Sequence, residues 1–222
     1  MHEWAMDDRQ PLISANVKAY KSYTFTGVSN PYTRIVSSFF DRICGIQRNG
    51  RRYRGNLVPL LIQKYGIEAG DPETGFEFDQ IQSFRRFLLF ARDTIRWCSP
   101  MDPDIHWSAT SGHISTFIMN GGTYDKIFWT EAFNDGMQDV LSAVDTPHKI
   151  DLAMIPRFNE NEGHGPRRLD KVSDYFDDLS MRLVYEIYKK DFQLFRHDFE
   201  NLDNNMPIGE IYLAEVHAKL GE

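Results

Sequence analysis

Cysteine and long apolar runs are scarce in this chain, and both shortages exclude classes of protein. Cys44 and Cys98 are the two cysteines among 222 residues, which is too few for a disulfide framework, and their separation lacks metal-ligand spacing. We expect both to be buried free thiols. No window has the length of a membrane span, and the amino-terminal residues lack the apolar core of a signal peptide. These absences predict a cytoplasmic protein without a transmembrane segment.

Positive charge and early glycine are also in short supply. The formal net charge is −7, which argues against general nucleic-acid binding because neutralising phosphates requires a basic face. Met1 to Ala19 contains no glycine, so this stretch does not resemble a loop whose closely spaced N–H groups cradle phosphates. A Walker-type kinase is therefore disfavoured.

What the chain does contain is typical of one globular α/β domain spanning residues 1–222. Hydrophobic residues make up 41% and aromatic residues 14% of the sequence, enough to build a core. Alternation of strands and helices predicts a largely parallel sheet. The predicted strands are 20–29 and 125–129, the predicted helices are 31–46, 79–96, 131–144, 178–197 and 208–220, and the polar stretch 98–123 is predicted to be irregular.

The most informative stretch is a strand that stops at Asn30-Pro31, where a helix begins. Asn is a good N-cap, and Pro suits the first helical position because its missing N–H is not needed there. Arg34 and Ser37 lie in the first two turns of this helix, where free N–H groups and the helix dipole favour an anion. The pattern predicts a turn that can hold a phosphate.

Four segments, in order, resemble the carbohydrate sulfotransferases, which transfer a sulfuryl group from 3′-phosphoadenosine-5′-phosphosulfate (PAPS) to a sugar hydroxyl. The segment from Asn30 to Phe39 is similar to the family's 3′-phosphate-binding motif. Downstream, Asp104-Ile105-His106-Trp107 resembles an acidic-x-His-Trp segment, and Tyr124-Asp125-Lys126-Ile127 with Glu131 resembles a strand and a following Glu. Residues 183–195 resemble a helix that ends in Tyr-x-x-Asp-Phe-x-x-Phe. The resemblance covers residues 20–198, with 1–19 as an extension and 199–222 as a carboxyl-terminal helix.

The resemblance implies a P-loop-NTPase-like three-layer fold and a donor site for PAPS that needs no metal. Ser29, Arg34 and Ser37 would hold the 3′-phosphate, and Arg168 would lie beside a loop that covers the nucleotide. Ser29 stands where the family has an Arg, and a hydroxyl brings no charge. For Ser37 and Arg34 the alternatives are a small packing residue and a surface ion pair with Asp41.

The resemblance also leaves the general base open between His106 and Glu131. A base must take the acceptor hydroxyl's proton, and a His near neutrality suits that task. The alternative for His106 is a structural histidine beside a packed Trp107.

Two functions follow from these expectations. The first is a PAPS-dependent sulfotransferase acting on a carbohydrate or similar hydroxyl acceptor. The second is a non-catalytic relative that has lost the 5′-phosphosulfate loop and serves as a binding or partner protein. A sheet incomplete at its amino-terminal end would expose strand edges, which a homodimer could cover.

Overall fold

The computed structural model describes residues 22–40, 61–67, 79–96, 105–144, 150–152, 171–200, 202 and 208–221. Cys44 and Cys98, which we expect to be buried free thiols, lie outside these ranges. So does Asp41, the alternative ion-pair partner of Arg34. The elements in chain order are β1 (Phe25–Val28), α1 (Pro31–Phe39), a π-helical turn (Leu61–Tyr65), α2 (Gln80–Ile95), α3 (Thr110–Met119), β2 (Lys126–Trp129), a 3₁₀ turn (Thr130–Ala132), α4 (Phe133–Ala143), a second 3₁₀ turn (Val172–Tyr175), α5 (Asp178–Phe195) and α6 (Leu213–Leu220). The predicted α/β class is confirmed.

The sheet of the described residues is a parallel pair, β1 beside β2. Thr26 lies opposite Ile127, and Val28 lies opposite Trp129. Because the strands run parallel, both carboxyl ends reach the same edge of the sheet, which is where ligands bind in α/β proteins.

Helices pack on both faces of this pair. Ile127 and Phe128 are successive residues, so their side chains point to opposite faces. On one face Gly136 of α4 lies against the Phe128 ring, and a Cβ at that glycine would come within 2.4 Å of the ring. On the other face a buried, mainly aliphatic cluster joins the strands to α3, α5 and α6. We call it the aliphatic cluster; its members are Val28, Ile114, Ile127, Leu194, Phe195, Val216 and Leu220.

A second, larger cluster joins α1, α2 and α5. It is built mainly from aromatic rings, and we call it the aromatic core: Tyr32, Phe39, Phe40, Phe84, Phe87, Phe90, Trp107, Tyr175, Tyr188 and Phe192, with aliphatic residues between them. The rings meet mostly edge to face or tilted, which suits their quadrupoles; Phe39 and Phe84, for example, have centroids 5.6 Å apart. This core fixes α1 against α5.

The terminal helix predicted at 208–220 begins only at Leu213. A second prediction of secondary structure is wrong in an informative way. The stretch 98–123 was expected to be irregular, but α3 occupies Thr110–Met119 within it. Ser, Thr and Gly favour loops in isolation, yet Ile114 of this helix is buried in the aliphatic cluster, so tertiary packing overrides local propensity. None of the helices in the described ranges is long and apolar enough to cross a membrane.

Candidate functional site

The candidate site lies at the sheet edge where β1 and β2 both end. Ser29 and Asn30 follow β1, and Thr130 and Glu131 follow β2 at matching positions. A Glu131 carboxylate oxygen accepts a hydrogen bond from the Asn30 backbone N–H at 2.7 Å. This contact ties the two strand ends together and fixes the turn that leads into α1.

Asn30 caps α1 as the sequence predicted. Its side-chain oxygen accepts from the Tyr32 N–H at 2.9 Å, and Pro31 occupies the first turn. The first turn of α1 itself carries no acidic residue, but the Glu131 carboxylate at the Asn30 N–H places a negative charge beside the positive end of the helix dipole. The Asn30 Nδ2 is buried and finds no hydrogen-bond partner among the described residues, so an amide donor remains at this turn.

Ser29 and Ser37 lie on this strand–turn–helix unit, and both are partly exposed. Hydroxyl groups at the start of a helix are suitable donors to a phosphate oxygen. Their assignment as donor-binding residues stays a prediction, as does that of Arg168, which lies outside the described residues.

Arg34 belongs to a largely buried polar group. Its Nη2 makes an ion pair with Asp191 of α5 at 3.0 Å, and its side chain is 15% exposed. It also donates to the Thr110 hydroxyl, and its guanidinium carbon lies 5.0 Å from the centre of the Tyr188 ring. The partner seen here is Asp191, and these contacts give Arg34 a structural role whether or not it also reaches a ligand.

His106 lies in the turn that precedes α3. Its backbone carbonyl accepts from the Ser38 hydroxyl of α1 at 2.6 Å, and its side chain is partly exposed. Trp107 next to it is fully buried in the aromatic core, and its indole N–H donates to Thr94 at 3.1 Å. The structure therefore attaches His106 to α1 through Ser38, and attaches Glu131 to the same unit through Asn30.

Sequence reasoning treated Asp191 as part of a packing helix and missed its role in a buried polar group. Its carboxylate accepts from the backbone N–H groups of Thr110 at 2.8 Å and Ser111 at 2.9 Å, in addition to Arg34. We call this group, with His197, the polar seam: Arg34, Thr110, Ser111, Asp191 and His197. The available sequence signal was an acidic residue on an otherwise apolar helix face, because such a residue is rarely buried unless it is paired.

Burial dominates the electrostatics of the seam. The pKa of His197 is lowered to about 4 by burial, with Asp191 opposing the shift and Arg34 adding to it. Burial likewise raises the pKa of Tyr188, which donates to the Trp107 carbonyl at 2.5 Å. Both side chains are therefore uncharged at neutral pH.

Sequence comparison assigns this chain to a protein family. A family model described as "Sulfotransferase family" matches residues 2–198, and the chain belongs to that family. The chain is 24% identical over 176 residues to carbohydrate sulfotransferase 10 of Xenopus laevis. It is 26% identical over 178 residues to carbohydrate sulfotransferase 10 of Gallus gallus.

These matches confirm the resemblance that the four sequence segments indicated. Each covers 78% of this chain and 46% of the relative, so the chain spans about half the length of the curated relatives it matches. No solved structure matches the chain significantly.

Proposed function

We propose that this protein is a sulfotransferase that uses PAPS to sulfate a hydroxyl of a carbohydrate or similar acceptor. The observation that carries the proposal is the capped turn at the carboxyl edge of a parallel strand pair, in a chain that belongs to the sulfotransferase family. The α/β arrangement with helices on both faces of the pair supports a three-layer, P-loop-like fold.

The chemistry of the turn fits the 3′-phosphate of PAPS. Two hydroxyls are available, from Ser29 before α1 and from Ser37 in its second turn, and the first turn itself contains no acidic residue. The unpartnered Asn30 amide adds a further donor at the same turn. Bound PAPS would supply the sulfuryl group, and the acceptor oxygen would bond to sulfur as the bond from sulfur to the 5′-phosphate oxygen breaks.

The protein's own part in this reaction is positioning and proton transfer. Ser29 before α1 and Ser37 in its second turn would hold the donor. His106, attached to α1 through Ser38, would take the proton of the acceptor hydroxyl. Glu131 remains the rival base, but one of its oxygens already accepts from the Asn30 N–H, which favours a role in orienting the turn.

A second candidate function follows from the charge at this turn. The basic residue of α1, Arg34, is ion-paired to Asp191, and Ser29 brings no charge. Neutral donors hold a phosphate less strongly than charged bidentate ones. A non-catalytic relative that binds a nucleotide or glycan is therefore the alternative.

Calorimetric titration with adenosine 3′,5′-bisphosphate tests the donor site. We expect saturable binding that Ser37→Ala weakens by about ten-fold or more, since a hydrogen bond to a charged group contributes roughly 1.5–3 kcal/mol. Ser142→Ala is the matched control because Ser142 is an exposed helical serine in α4 whose hydroxyl bonds to the Gln138 carbonyl; its affinity should equal that of the wild type.

Two results would contradict the proposal. A folded chain that does not bind the bisphosphate has no donor site of this kind. Binding without transfer from PAPS to any member of a panel of 4-nitrophenyl glycosides would favour the non-catalytic alternative.

A further inference from the structure

The buried carboxylate of Asp191 joins three helices. Its side chain is 1% exposed, and it accepts from Arg34 of α1 and from two backbone N–H groups at the start of α3. The residue before α3 is Ala109, which has no side-chain oxygen to cap the helix. Asp191 therefore does from α5 what an N-cap residue does locally, and it satisfies donors that would otherwise be buried without partners.

The residues just before α3 are held in place by the same two helices. We call His106 to Ser111 the 106–111 segment. Ser38 of α1 donates to the His106 carbonyl at 2.6 Å, and Tyr188 of α5 donates to the Trp107 carbonyl at 2.5 Å. Asp191 then holds the Thr110 and Ser111 N–H groups. Directional hydrogen bonds thus fix four of the six residues to α1 or α5.

These contacts connect the two parts of the proposed active site. Helix α1 carries Ser37, the predicted donor-binding residue, in its second turn, and the 106–111 segment carries His106, the predicted base. Asp191 contacts both through Arg34 and the α3 amides. The carboxylate is buried, so it does not touch a substrate itself.

We propose that Asp191 is a positioning residue for sulfotransfer, which fixes His106 relative to the donor-binding residue of α1 by joining Arg34 to the first turn of α3. The inference rests on the proposed function. Displacing a reacting group by about 1 Å can lower a rate by about 100-fold, so loss of this connection should slow turnover more than it weakens donor binding.

The first test is Asp191→Asn, which keeps the size of the side chain but leaves one accepting oxygen for three donors. Amide hydrogen exchange should quicken at Thr110 and Ser111. With PAPS and a glycoside acceptor from the panel, kcat per titrated donor site should fall by about ten-fold or more. The dissociation constant for adenosine 3′,5′-bisphosphate should change by less than about three-fold, because the donor-binding hydroxyls remain.

Counting donor sites by calorimetric stoichiometry separates positioning from structure. A purely structural role would lower the fraction of folded protein, and each remaining site would turn over at the wild-type rate. An unchanged kcat per site, with faster exchange at Thr110 and Ser111, would overturn the proposal.

Ser38→Ala is the second test and decides the matter if Asp191→Asn does not fold. Ser38 donates to the His106 carbonyl and to the Arg34 carbonyl one turn back, so its loss should also lower kcat per site. Ser142→Ala removes the equivalent bond within a helix without touching the 106–111 segment, and it should leave kcat unchanged. Equal kcat per site in Ser38→Ala and Ser142→Ala would overturn the proposal.

Failure of the underlying function gives a different result. A wild-type chain that neither binds the bisphosphate nor transfers the sulfuryl group overturns the proposed function, and the positioning role with it. Wild-type binding and transfer with unaltered variants overturns the positioning role alone.

Discussion

The aromatic core and the polar seam are both buried, but they are stabilised in different ways. In the core each ring contacts several others; Phe84, for example, meets Phe39, Tyr175 and Phe176 at centroid distances of 5.2–5.6 Å. In the seam the hydrogen bonds are directional and join groups of defined chemistry, as between Arg34 and Asp191. Dispersion and burial tolerate imperfect geometry, whereas a buried charge without its partner is costly.

The comparison predicts its largest effect at Asp191. Asp191→Ala should lower the free energy of unfolding by about 3–5 kcal/mol, because it leaves the Arg34 guanidinium and two α3 amides buried without their acceptor. The double variant Arg34→Met/Asp191→Ala should recover part of that loss, since the stranded charge is gone. Urea unfolding of the wild type, Asp191→Ala and the double variant measures these free energies.

The exposed pair Lys126–Asp139 is the matched control for this prediction. Its two side chains are 33% and 62% exposed at a distance of 2.7 Å, and surface pairs contribute at most about 1 kcal/mol. Asp139→Ala should therefore change stability little. If Asp191→Ala and Asp139→Ala have the same small effect, the seam does not differ from the surface.

The next largest predicted effect on the free energy of unfolding comes from His197, and it depends on pH. Its side chain is 2% exposed, and neither ring nitrogen finds a hydrogen-bond partner among the described residues. Burial is the main reason that its folded-state pKa is about 4 instead of 6.5. Because the unfolded chain binds the proton more readily, this stability is present above pH 6.5 and is lost as the pH falls toward 4, by about 3 kcal/mol in all.

Urea unfolding at pH 7 and pH 4.5 compares His197→Leu with the wild type. Between pH 7 and pH 4.5 the free energy of unfolding should fall less in His197→Leu than in the wild type. The exposed His113 of α3 provides a control, and His113→Gln should keep the wild-type dependence. Parallel pH dependence in all three proteins would show that His197 titrates normally.

The same contrast explains what the sequence could and could not predict. Helix α2 was predicted at 79–96 and spans Gln80–Ile95, because its apolar spacing is a local signal. The Asn30 cap and the strand at 126–129 were predictable for the same reason. Contacts of the core need only the right periodicity, so sequence patterns reveal them.

The seam, by contrast, depends on contacts between residues far apart in the chain. Asp191 caps α3 from 80 residues away, so the polar composition of 98–123 gave no indication of a helix. The family resemblance named the segments that carry Arg34 and Asp191, but spacing alone did not show that they touch. Likewise, the link from Glu131 to Asn30 required the strand register.

The smallest predicted effect is in the aromatic core and completes the comparison. Phe84→Leu removes one ring but leaves an apolar side chain against Phe39 and Tyr175, so we expect a loss of about 1–2 kcal/mol in the free energy of unfolding. The neighbouring rings can shift to fill part of the space. Hydrogen exchange at Thr110 and Ser111 should stay as slow as in the wild type, because their acceptor Asp191 is untouched. Faster exchange at those amides in Phe84→Leu would mean that the core holds the 106–111 segment in place, and that the seam depends on packing for its geometry.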